Sequence, residues 1–254
     1  MPLNSPFLLR TTRLLRHFGG LMLLSWIGTA PVSNAQVPST QRACETPLIA
    51  AIEHKETDKA IELINDATDL NARACGDLEG TTALIEAIRL DETRVIERLL
   101  SKGADANEKA GRDESPLFTA AFYCRREAAL LLLKHGAEIN SVDSDGFSPL
   151  MQSTQNCSDG WLTVLLLRSG AKVNIQAKHG ETALTTAAFH GNEDAVHVLI
   201  AAGADPGERT ADGATALTLS RDRKVGRKES HDRIYKFLLQ ISNLKEAGAT
   251  KAAN

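Results

Sequence analysis

A hydroxyl residue followed two places later by leucine returns along the chain at a near-constant interval. The phrases are Thr46-Pro47-Leu48, Thr82-Ala83-Leu84, Ser115-Pro116-Leu117, Ser148-Pro149-Leu150, Thr182-Ala183-Leu184 and Thr215-Ala216-Leu217, with leucine steps of 36, 33, 33, 34 and 33 residues. Behind each leucine, two small or apolar positions share its face: Ala51 and Ile52, Ala87 and Ile88, Ala120 and Ala121, Ala187 and Ala188, with Ser153 and Thr154 as the polar exception in the fourth copy. The spacing predicts a helix that starts at the hydroxyl residue, whose oxygen accepts a bond from an orphan amide, with proline welcome at the next place. A second aliphatic stripe follows in each unit, seen in Val95, Ile96, Leu99 and Leu100, in 130–133, in 164–167, and in Val196, Val198, Leu199 and Ile200. That stripe predicts a second helix packed on the first.

Gly103, Gly136, Gly170 and Gly203 close the second helices, where a left-handed backbone suits a residue without a β-carbon. Ala67 takes that place in the first unit and predicts a looser unit there. Segments such as 142–146 and 176–180 carry the turn chemistry of a projecting finger. A fixed period of about 33 residues means stacked units, each burying one face against the next, so one array fills the chain without a single large core.

These phrases resemble the ankyrin repeat, a unit similar to Gly-x-Thr-Pro-Leu-His-x-Ala-Ala with a leucine-paired second helix and a closing Gly-Ala-Asp-x-Asn. The resemblance runs from about Glu45 to Ile241. It implies an all-α solenoid of about six helix-turn-helix repeats with β-hairpin-like fingers, near 45–76, 79–109, 112–143, 145–176, 179–209 and 212–241, and a flexible tail over 242–254. The family's usual histidine is replaced by Ile49, Ile85, Phe118, Met151, Thr185 and Thr218, so the array is expected to lean on aliphatic packing and on disulfides. The sixth unit reads as a cap with a polar outer face. Its basic stretch over 221–228 is either a solvated loop or a docking patch.

The first 35 residues stand apart. Arg10, Arg13 and Arg16 precede an apolar run from about Phe18 to Ala30 and then Ser33-Asn34-Ala35, the pattern of a secretory leader cleaved after Ala35. The run holds three glycines and falls short of the roughly 20 apolar residues a membrane span needs. No stable membrane insertion is expected after cleavage, and the expected location is periplasmic or secreted. Removing those three arginines from 29 basic and 32 acidic side chains leaves 26 against 32, a formal charge of −6, which argues against nucleic acid as a partner.

Four cysteines remain, an even number that favours pairing in an oxidising compartment. Cys44 and Cys75 bracket the first unit, and Cys124 and Cys157 hold equivalent places in the third and fourth. Packed helices lie about 8 to 10 Å apart, whereas a disulfide wants α-carbons within about 7 Å, so pairing requires a local distortion.

No nucleophile with its base, metal-ligand spacing or phosphate loop survives the repeat explanation, so no enzyme, cofactor or metal is expected. His190 and His197 fall on different helices and read as surface histidines. The resemblance implies partner binding through the fingers and the inward side of the first helices, at the second, fifth and sixth residues after each leucine. These include Glu86, Arg89, Thr119, Phe122, Tyr123, Gln152, Gln155, Asn156, Thr186, Phe189 and His190. Phe122, Tyr123 and Phe189 are either anchors for a partner or packing against the next unit, with Arg89, Gln155, Asn156 and His190 around them. The expected partner of a monomeric array is another protein. An inhibitor that neutralises a toxin or hydrolase is the alternative, with Asp143, Asp145, Glu181 and Asp212 suited to a basic target.

Overall fold

The computed structural model describes residues 47–66, 68–74, 80–157, 159–221 and 228–252, with side chains described as far as 243. The leader, Cys44, Cys75, Ala67 and positions 222–227 lie outside the described residues. Five helix pairs follow one another: α1 (Pro47–Glu53) with α2 (Thr57–Leu63), α3 (Ala83–Leu90) with α4 (Thr93–Ser101), α5 (Pro116–Phe122) with α6 (Arg126–Lys134), α7 (Pro149–Asn156) with α8 (Trp161–Arg168), and α9 (Ala183–His190) with α10 (Glu193–Ala201). A single turn, α11 (Ala216–Leu219), and a long helix, α12 (Lys228–Ala252), complete the sixth unit. The ten paired helices have seven to nine residues each, too short to persist alone. Stacking supplies their stability.

The expected caps are in place. Thr82, Ser115, Ser148, Thr182 and Thr215 each accept the amide three residues on, at Ile85, Phe118, Met151, Thr185 and Thr218. The four closing glycines have φ of 93°, 82°, 97° and 90°, a conformation that strains any residue with a β-carbon. The fingers close through single backbone bonds such as Asp143 N–H to Phe147 O (3.1 Å) and Ala177 N–H to Glu181 O (2.8 Å). They also pair with each other: Ser144 N–H reaches Arg112 O, Lys178 N–H reaches Asp145 O and Ala211 N–H reaches His179 O.

Where the family histidine is missing, two solutions appear. Ile49, Ile85, Phe118 and Met151 are buried in the core, while Thr185 and Thr218 turn back to accept the amides of Thr182 and Thr215 at 2.8 Å. Bonds between units come instead from a ladder of asparagines. Asn71, Asn107, Asn140 and Asn174 accept the amides of Asp105, Glu138, Lys172 and Asp205 in the next unit, at 2.9, 2.7, 2.8 and 3.2 Å. Ion pairs also join neighbours, among them Arg94–Asp58, Lys102–Asp66 and Arg125–Asp91. Most are exposed, where such a pair is worth about 0 to 1 kcal/mol.

The polar pair of the fourth unit, Ser153 and Thr154, finds partners in the core. Ser153 Oγ donates to Leu150 O at 2.8 Å and lies 3.0 Å from Thr163 Oγ1, and Thr154 Oγ1 donates to Met151 O at 2.8 Å. Asn192 stitches this unit to the next. Its amide donates to Thr154 O (3.0 Å) and Cys157 O (2.7 Å), while its oxygen caps α10 through Ala195 N–H.

Helix α12 closes the array by burying Ile234 and Leu238, and Arg233 pairs with Glu193 of α10. It continues to Ala252, past Ser242, where composition alone places the start of a tail. Among the described residues, no helix is long and apolar enough to cross a membrane.

Candidate partner-binding surface

The first helix of units two to five is covered on nearly every side. Six successive residues of α5 (116–121) and seven of α9 (183–189) are buried, so these helices emerge only at their C-terminal ends. In units two to five the second residue after the leucine is therefore not a surface position: Glu86, Thr119, Gln152 and Thr186 are all buried. Phe189 is also corrected. At 3 % exposure it is core, and its carbonyl accepts His231 Nε2–H of α12 at 3.1 Å.

What remains open is a rim across units two to four. Phe122 and Tyr123 are half-buried and packed edge to face, with ring centroids 4.9 Å apart. Arg125 lies 6.0 Å from the Tyr123 ring centroid, bonds Asp91 at 3.2 Å and donates to the Arg89 carbonyl at 2.8 Å. Arg89 in turn pairs with buried Glu86 at 2.8 Å. Burial alone would lower the Arg89 pKa, but the bond and charge of Glu86 outweigh it and hold the guanidinium above its ordinary value. Burial raises the Tyr123 phenol, with Glu114 and Glu86 adding to the rise against Arg89 and Arg125. The Tyr123 ring thus lies beside a charged base fixed by units two and three together, with Phe122 packed on its edge.

Unit four adds Gln155, half-buried, and Asn156, exposed, whose side-chain amide donates to Phe122 O at 2.9 Å. The structure brings Arg89, Phe122, Tyr123 and Asn156 into one connected rim. His190 stands apart in unit five. It is not a free surface histidine, since its ring packs edge-on against Phe189 at 5.2 Å, and burial followed by repulsion from His231 pushes its pKa down to about 4. Arg125 escapes a reading of one unit at a time. Its signal is a pair of opposite charges one repeat apart, Asp91 and Arg125, at the turn between the two helices.

The cysteine pair of units three and four sits at the same rim. Cys124 and Cys157 meet with α-carbons 5.5 Å apart, within disulfide range, and the expected distortion is visible in the backbone. Cys124 has φ 59°, in the left-handed place that Lys55, Asp91 and Gly191 take in other units. In unit four, which carries one extra residue, Cys157 is instead extended at φ −100° and buried, and Gly160, immediately before α8, has φ 61°.

Residues 21–110 and 150–246 match the family described as ankyrin repeats in three copies, and 112–141 match the single ankyrin repeat. The chain belongs to the ankyrin repeat family. It is 30 % identical over 223 residues to ankyrin repeat and SOCS box protein 6 of Pongo abelii, covering 82 % of this chain and 52 % of that protein. Over 101 residues it is 41 % identical to the B-cell lymphoma 3 protein homolog of Mus musculus, or 39 % of this chain and 22 % of that one. A putative palmitoyltransferase, ZDHHC13 of Danio rerio, is 31 % identical over 58 % of this chain, which spans 23 % of that relative. The array thus spans between about a fifth and a half of these curated relatives. Its repeats make it a scaffold for protein–protein interaction.

Proposed function

We propose that this ankyrin array is exported, to the periplasm or the medium, after cleavage of its leader behind Ala35, and that it binds one partner protein through the rim of units two to four. The observation that carries the site is the fate of the aromatics. Phe189 is sealed into the core, whereas Phe122 and Tyr123, at the equivalent end of α5, stay half-open, Tyr123 beside Arg125. Large rings held rigidly beside an arginine are the residues that dominate interface energy.

The inhibitor alternative keeps only part of its charge argument, since two of its four carboxylates are buried. Asp143 is buried and accepts the amides of Asp145 and Phe147, Glu181 is buried and accepts that of His179, Asp145 pairs with Arg112, and Asp212 accepts the Thr210 hydroxyl. These carboxylates shape the fingers. A scaffold for an envelope protein is the reading that the rim supports best.

The test is affinity capture from envelope extract with the processed chain as bait, followed by mass spectrometry. Phe122→Ala and Tyr123→Ala are expected to lose the dominant captured protein while retaining the native helix signal. Capture unchanged by both substitutions rejects this rim.

A further inference from the structure

We propose that Cys124 and Cys157 form a redox latch on the partner-binding rim: closed as a disulfide it locks the ends of α5 and α7 together, and opened by a dithiol it releases the rim between units three and four. This rests on the binding reading above. The rim residues sit immediately before each cysteine, Phe122 and Tyr123 before Cys124 and Gln155 and Asn156 before Cys157. A bond between the two cysteines therefore fixes the spacing of the two halves of the site.

Two features separate a latch from a purely structural cross-link. Cys124 is the partly exposed partner, while Cys157 is 1 % exposed, so an incoming thiolate has one accessible residue to attack. Exposed or strained disulfides are the labile ones. Finally, the ties around the bond are uneven. Toward unit five, the turn stays anchored by Asn192 on the carbonyls of Thr154 and Cys157. Toward unit three, what remains near the rim is the Asn156 amide on Phe122 O and a weak contact of Cys157 Sγ with Ala121 O at 3.5 Å, with Arg126–Asp159 farther along the turn.

The chemistry balances as a two-electron exchange. A dithiol, small or at the active site of an oxidoreductase, attacks Cys124 Sγ, breaking the S–S bond and expelling Cys157 as thiolate. The second donor thiol then attacks the mixed disulfide and frees Cys124. Two protons and two electrons pass to the cysteines, and the donor leaves as its own disulfide. The freed Cys157 thiol can donate to the Ala121 carbonyl it already touches, which keeps the buried sulfur satisfied while the covalent tie is gone.

Hydrogen exchange read by mass spectrometry tests the latch on the full chain recovered in oxidised form. Reduction with dithiothreitol, and separately Cys157→Ser, are expected to speed exchange roughly tenfold in 118–126 and 153–161 while leaving 186–196 unchanged. Cys124→Gly, which suits the left-handed backbone, keeps the fold and is expected to open the same segments. Exchange that is unaltered on reduction, or faster evenly along the array, overturns the latch, as does an intact mass showing four free thiols in exported material. The capture experiment gives the functional arm. Several-fold weaker recovery of the dominant protein by the reduced bait supports the proposal, and equal recovery despite faster exchange overturns it. Absence of any captured protein in both states instead refutes the binding reading, with the exchange result still standing on its own.

Discussion

Acidification tests the seat of the capping helix most sharply. His190 is pushed down to about 4 from an ordinary value of 6.5, chiefly by burial and further by His231 across the seam between α9 and α12. A base whose pKa falls on folding takes up its proton more readily when unfolded. Its contribution to stability is therefore complete above pH 6.5 and is lost as pH falls toward 4. A tenfold change in proton affinity corresponds to about 1.4 kcal/mol, so the full difference is on the order of 3 kcal/mol, of which about 2 kcal/mol is already lost at pH 5. Urea unfolding followed by circular dichroism at pH 7 and pH 5 measures this directly. Wild type is expected to lose about 2 kcal/mol more than His190→Gln over that interval, and its melting point should fall by about 4 to 8 °C more. Wild type and variant losing stability in parallel would show that the ring titrates alike in the folded and unfolded chain, and that the seam is wetter than its burial implies.

Two further substitutions separate core from rim. Phe189→Ala removes a buried ring and is expected to cost about 3 to 5 kcal/mol, whereas Phe122→Ala, half-open at the equivalent place, should cost well under half of that in the same urea titration. Asn192→Ala deletes a helix cap and two bonds to the carbonyls of unit four, and a loss of about 2 to 3 kcal/mol with accelerated exchange over 152–160 is expected.

The repeat, its caps and its closing glycines were legible because each is a local demand. A hydroxyl before Leu84 or Leu150 caps its helix whatever the neighbouring unit does, and Gly136 needs its positive φ in any array. What periodicity conceals is burial. By spacing alone, Glu86, Gln152 and Phe189 occupy the same inward positions as residues on the rim, yet a first-row helix is covered along its length and opens only at its end. Phe189 and Phe122 hold the same place in their units, yet one is buried and the other half-open, a difference that the spacing does not carry. The acidic fingers mislead for the same reason. Asp143 and Glu181 look like surface charge in composition, but each carboxylate accepts finger amides and is thereby drawn inside.

A single inserted residue then explains why the candidate site lies where it does. A unit of regular length places its turn residue in the left-handed conformation, as Asp91 and Gly191 show. Unit four instead holds Cys157 extended, buried and within reach of Cys124. The same turn presents the carbonyls of Thr154 and Cys157 to Asn192 and the amide of Asn156 to the carbonyl of Phe122. Units three, four and five are thus cross-tied around one irregular turn, and Phe122 and Tyr123 stand beside it. An irregularity that breaks the period would be a defect if stacking were its only role. Here every polar group named at the turn gains a partner in an adjacent unit, so the break serves to brace the stretch of the array where Phe122 and Tyr123 stay half-open.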